Sequence, residues 1–179
     1  STMMAEAFVA VGSNIDPAEN IAAALARLTE VARVRAVSTF YAVRPLDRPQ
    51  QPDFRNGVFQ IATNQDPSVL HNDVLRGIEE EIGRERSRDK HAARTIDLDL
   101  VMYEDIEFQD GDLIIPDPDI LERNFVAVPL AELAPQTELP GVGRTLDAIA
   151  TELGTTGLTT DETLTRTLRE ILANEHGTR

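Results

Sequence analysis

Hydrophobic positions along the chain follow two periods, and the switches between them mark out the elements. Phe8-Val9-Ala10-Val11 is a short apolar run closed by Gly12-Ser13-Asn14, as expected of a buried strand. Asp16-Pro17-Ala18-Glu19 then has the composition of a helix start, with Asp16 as cap, Pro17 at the first helical position and Glu19 completing a capping box. Ile21, Ala24, Leu25, Leu28 and Val31 recur at helical spacing and give that helix one apolar face. Val34 to Tyr41 is rich in β-branched and aromatic residues and predicts a second strand, and residues 56 to 63 predict a third. Between them, residues 44 to 53 carry three prolines among polar neighbours and predict a long loop, a kind of segment that is often functional. Asp66-Pro67 repeats the cap-then-proline start. Val69, Leu70, Val74, Leu75, Ile78 and Ile82 supply the buried face of a second helix, which Gly83 is expected to end.

The next periodic stretch, residues 94 to 100, alternates strictly, so Asp97 and Asp99 share one face of a strand while Ile96, Leu98 and Leu100 share the other. The order β-α-β-β-α-β predicts an α+β, ferredoxin-like arrangement in which two helices cover one face of an antiparallel sheet. The apolar set would face those helices, and the two carboxylates would lie on the open face. Beyond this unit, residues 106 to 115 predict an added hairpin with its turn at Asp110-Gly111. Leu121 to Leu130 carries Arg123, Asn124 and Phe125 ahead of an apolar run. Further helices are expected at Thr145–Leu153 and Asp161–Asn174, the latter with Leu164, Leu168, Ile171 and Leu172 on one face. No internal repeat or second domain emerges, so residues 1–179 read as one domain.

Composition narrows the function. A chain of 179 residues with 41% hydrophobic content can bury a real core. It holds no apolar run long enough to span a bilayer and no signal-peptide pattern, and it lacks cysteine. These features point to a cytoplasmic protein without a membrane partner. The formal net charge of -14 argues against nucleic acid as a partner. Against that acidic background Arg84, Arg86, Arg88, Lys90 and Arg94 crowd one segment, and Lys90 is the only lysine. Such a cluster suits a small anionic ligand, although a solvated helix end would also collect cations.

Two carboxylates on one strand face repel each other unless a cation or donors stand between them. Hard cations such as magnesium are held through one or two carboxylates plus waters and phosphate oxygens. A metal site and a solvated strand face are both open readings of Asp97 and Asp99 taken alone. Neither common Gly-rich phosphate loop is present, and the three histidines have no G-x-S-x-G partner. Carboxylates for metal, arginines for phosphate and loop aromatics for a flat ring together suit metal-assisted phosphoryl chemistry.

Several blocks in order resemble a known family: Gly12-Ser13-Asn14, Tyr41 with Pro45-Leu46, Gln51 to Asn56, Gly83-Arg84, Arg94-Thr95-Ile96-Asp97-Leu98-Asp99, and Arg123-Asn124-Phe125 with residues 129 to 135. From about residue 8 to about 146 the chain is similar to 6-hydroxymethyl-7,8-dihydropterin pyrophosphokinases of folate biosynthesis, leaving a C-terminal helical extension over about 147–179. The resemblance implies transfer of pyrophosphate from the co-substrate ATP to the pterin, releasing AMP, by a monomer that handles small molecules. It implies two magnesium ions at Asp97 and Asp99, with Arg84 and Arg94 as catalytic partners to the phosphates. Glu79, Arg86, Lys90 and Arg123 would join Arg84 and Arg94 around the nucleotide. Phe54, Asn56 and Phe125, with Val43, Pro45 and Leu46, would hold the pterin. The chain departs from the family at His91-Ala92-Ala93, at Asp112 and at Asp117, where others carry an aromatic-Gly-Pro run, a basic residue and a histidine. A divergent relative that binds pterin or nucleotide without catalysis is the alternative.

Overall fold

The computed structural model describes residues 3–45, 50–86 and 95–177. In chain order the elements are β1 (Ala5–Ser13), α1 (Pro17–Val31), β2 (Arg33–Val37), β3 (Tyr41–Val43), β4 (Phe54–Thr63), α2 (Pro67–Val69), a π-helical stretch (Leu70–Leu75) and α3 (Arg76–Arg86). They continue through β5 (Asp97–Tyr103), β6 (Phe108–Asp110), β7 (Leu113–Ile115), α4 (Asp119–Glu122), α5 (Asn124–Leu133), α6 (Leu146–Leu153), β8 (Leu158–Thr160) and α7 (Glu162–Gly177). The main sheet runs β5-β1-β4-β3-β8, with β2 also paired to β4, and all of these pairs are antiparallel. β6 and β7 form the separate hairpin. Among the described residues no helix is long and apolar enough to cross a membrane.

Alternation along the strands builds two cores. Ala7, Val9 and Val11 of β1, Phe59 and Ile61 of β4, and Leu98 and Leu100 of β5 bury against α1, the π-helical stretch and α3. α7 joins this layer through Leu164, Leu168 and Leu172, so a third helix covers that face beside α1 and the continuous helix of the π stretch and α3. The opposite face is only partly open. Phe8, Val58, Val101 and Met102 pack there under α4, α5 and α6, which cover the sheet away from Asp97 and Asp99.

Local departures from the sequence expectations have specific causes. The strand expected over Val34–Tyr41 is split, because Val37 pairs with Phe59 and Tyr41 with Asn56, so β2 and β3 spend one more residue than β4 between those pairs. The slack turns Phe40 into the core beside Phe59, over Gly57, where any Cβ would collide with the Phe40 ring. Asp16 does not cap α1: it is left-handed (φ 39°) and makes no side-chain cap bond, while buried Asn20 donates its side-chain N–H to the Ile15 carbonyl at 2.5 Å. Gly83 does not end the second helix, which runs on to Arg86. The π-helical stretch is a departure from the ordinary helix expected there: Leu70 and Leu75 lie five apart and are both fully buried, a spacing that a wider turn satisfies and an α-turn does not. β8 is an added strand on the outer side of β3.

Candidate active site

The register of the sheet lays out a polar row across its less covered face. Asp97 pairs with Gly12, Gly12 with Asn56, and Asn56 with Tyr41, so these residues stand side by side on consecutive strands. Asp99 pairs with Ala10, and Val43 pairs with Phe54, on the same face. The small residues of β1 keep the floor low. A Cβ at Gly12 would lie 2.7 Å from Asn56 Nδ2, so the glycine makes room for the asparagine beside Asp97. Phe125, at the start of α5, packs along the edge of the same face. Among the described residues Phe40 and Phe59 are the paired rings, so Phe54 and Phe125 flank the face without stacking on each other.

Why β5 can serve both as platform and as core follows from one bulge. Val9 pairs with Leu100 and Phe8 with Met102, leaving Val101 as an extra residue. Before the bulge, Asp97 and Asp99 are half-buried and Leu98 and Leu100 point to the first core. After it, Val101 and Met102 both enter the second core. The start of the strand is held from beneath, where Ser13 Oγ donates to the Thr95 carbonyl at 2.7 Å.

Electrostatics single out Asp99. Burial first, and the adjacent Asp97 next, push its carboxyl up to about 6; Glu79 and Asp117 add to the rise, and Arg76 opposes it. A pair of oxygen ligands in which one carboxylate is so reluctant to ionise is a place where a hard cation relieves repulsion, so the donor set fits magnesium. Among the described residues no group of three or more His, Asp or Glu side chains converges into a metal cage.

The other expected site residues fare unevenly. Glu79 accepts from the Leu98 N–H at 2.7 Å and from Arg76 Nη1 at 2.5 Å, so it braces β5 against α3. Arg84 is well exposed on α3 and lies 3.8 Å from Glu80. Arg123 is exposed between α4 and α5, and its carbonyl accepts from the Val126 and Ala127 N–H groups. Pro45 is half-buried just past β3. Leu46, Lys90 and Arg94, together with His91-Ala92-Ala93 and the Arg86 side chain, lie outside the described residues.

Asp117 donates its N–H to the Val101 carbonyl at 2.9 Å and accepts from the Asp119 N–H at 2.9 Å; burial raises its carboxyl. Asp112 is largely exposed and sits 3.4 Å from His71 Nε2. Two contributors were not among the expected residues. Arg76 stands 3.8 Å from Asp99, and its signal in sequence is its place three residues before Glu79, on the same helix face. Asn124 holds the start of α5 by donating to the carbonyls of Gly154 and Thr156 at 3.1 and 3.0 Å.

Comparison with known proteins converges on one family. The family model described as 7,8-dihydro-6-hydroxymethylpterin-pyrophosphokinase matches residues 8–135. A 2-amino-4-hydroxy-6-hydroxymethyldihydropteridine pyrophosphokinase of Haemophilus influenzae is 39% identical over 140 residues, covering 76% of this chain and 86% of that relative. Its namesake in Pseudomonas aeruginosa is 41% identical over 142 residues, covering 77% and 86%. A solved HPPK-DHPS triple mutant from Plasmodium falciparum superposes with a TM-score of 0.67 over 85% of this chain. That likeness is one of fold, at 12% identity, and the chain spans 44% of the structural relative's length. The chain belongs to the 7,8-dihydro-6-hydroxymethylpterin-pyrophosphokinase family and is a pyrophosphokinase, a diphosphotransferase.

Proposed function

We propose that this chain transfers the terminal pyrophosphoryl group of ATP to the hydroxymethyl group of 6-hydroxymethyl-7,8-dihydropterin, releasing AMP, in folate biosynthesis. The observation that carries the reading is the shared sheet face on which Asp97 and Asp99 stand beside Asn56, with Phe54, Val43 and Phe125 at its margin. The pterin hydroxyl loses its proton to solvent and its oxygen bonds to the β-phosphorus, as the bond from that phosphorus to the α-bridging oxygen breaks and AMP departs with that oxygen. Asp97 and Asp99 would hold two magnesium ions, which when bound offset charge developing on the phosphate oxygens. Phe54 and Phe125, which flank this face, would hold the flat pterin ring, and Asn56 would offer an amide to its polar edge. Val43, which pairs with Phe54, and Pro45 would complete the pterin site together with Leu46. Arg84, Arg94 and Arg123, with Arg86 and Lys90, supply cations to the triphosphate.

The fold reading that accompanies this is ferredoxin-like, supported by the antiparallel order β5-β1-β4-β2 and by the helices between β1 and β2 and between β4 and β5. The chain is read as a single-domain monomer that works in the cytoplasm on small molecules.

A coupled assay of AMP release with dihydropterin, ATP and magnesium tests the reaction. Turnover is expected; pterin binding without turnover would favour a non-catalytic binding relative, for which Asp112 and Asp117 are the specific observations. Asp97→Ala should lower transfer by roughly a hundredfold or more while the thermal melt persists. Near wild-type transfer in that variant would remove the metal assignment.

A further inference from the structure

Arg76 opens α3 directly after the wide π turn, and its guanidinium stands between two acids. Nη1 donates to Glu79 Oε1 at 2.5 Å, and Nη2 lies 3.8 Å from Asp99 Oδ1. Glu79 is itself pinned by the Leu98 N–H at 2.7 Å, so Arg76 rests on a fixed support with its second amine turned toward Asp99. The surroundings are acidic: Asp97, Glu79 and Asp117 act on Asp99, and Asp112 acts on Arg76. A guanidinium in this place competes with any divalent cation, since both are drawn to the same Asp99 oxygen and repel each other. Its planar fork also matches phosphate oxygens.

Resting on the metal and ATP reading of this site, we propose that Arg76 couples the two ligands, disfavouring a divalent cation alone at Asp99 and favouring that cation together with a triphosphate. A bare cation must displace Arg76 from Asp99 and gives the guanidinium no new anion. A metal–triphosphate complex brings one, and Arg76 turns to a phosphate oxygen while Glu79 keeps its hold on Leu98. Asp112 acts on Arg76 and Asp117 on Asp99, so both acids add to the negative charge around the guanidinium seated between Glu79 and Asp99.

The test compares wild-type and Arg76→Gln protein in two titrations. Manganese(II) alone, read by the paramagnetic resonance of the free ion, should bind Arg76→Gln about threefold to fivefold more tightly. Magnesium with α,β-methylene ATP, read by calorimetry, should bind it about tenfold more weakly. Loss of a merely structural residue moves both affinities the same way, so a shift in one direction, or none, overturns the proposal. In an Asp99→Asn background Arg76→Gln should tighten manganese binding much less than it does in wild type, and an undiminished tightening there also overturns it. Arg76→Lys, which keeps the charge but not the fork, should hold manganese as weakly as wild type and recover part of the nucleotide affinity; it carries the test should Arg76→Gln fail to fold. Wild-type protein that binds no magnesium–nucleotide complex would overturn the proposed function itself, whereas normal wild-type binding with an unmoved Arg76→Gln overturns the coupling alone.

Discussion

Because burial and the neighbouring Asp97 raise the Asp99 carboxyl to about 6, the folded chain holds that proton more tightly than the unfolded chain does. The stabilisation this brings is complete below the ordinary carboxylate value and is lost as pH rises through about 6. Asp99→Asn keeps the shape without the charge, so it should melt higher than wild type at pH 7.5 and no higher below pH about 4. Solvent screening at this half-exposed carboxylate limits the gain to about 1 kcal/mol, or about 2–4 °C. Thermal melts of both proteins at the two pH values check it, and an equal shift at both would count against the assigned cause. Alternation alone made the Asp97/Asp99 face legible in sequence, since a strand of period two admits one arrangement of its side chains. Arg76 was legible only as a helix-face neighbour of Glu79; its approach to Asp99 was not, because that residue belongs to another element and the two meet only once α3 lies along β5.

At the scale of elements, the break between β2 and β3 turns on Gly57. Its missing Cβ is the space occupied by the Phe40 ring, and Phe40, Gly57 and Phe59 are all buried. Gly57→Ala should therefore cost about 1–3 kcal/mol by overpacking, with Phe40→Leu in the same chain restoring part of the loss. Denaturant melts of the single and double variants measure this; an additive result would mean that ring and glycine do not oppose each other. The break escaped the sequence reading because Val34 to Tyr41 is rich in β-branched and aromatic residues throughout, and only the pairing partner shows the surplus residue. Asp16 and Gly83 misled for a related reason. Both sit where caps belong, yet the bonds made by Asn20 below and the continuing helix above decide the outcome.

At the scale of the molecule, the segment beyond the family match is part of the core. Leu168 of α7 is fully buried in the cluster that holds Val9, Ile61 and Leu98. Leu168→Ala should destabilise the protein by about 2–5 kcal/mol, and unfolding should remain a single transition seen alike by far-ultraviolet dichroism and fluorescence of a bound probe. A separate early transition would instead make the extension an independent unit. The α7 helix was legible from its apolar face, whereas β8 was not, because a three-residue strand takes its conformation from β3 beside it. β5, the sheet's other border, is closed differently: the Leu98 N–H is spent on Glu79 and the Val101 carbonyl on the Asp117 N–H, both outside the ladder with β1. Two outward backbone groups of the border that carries the two carboxylates are therefore already engaged, which makes addition of a neighbouring chain's strand less favourable there.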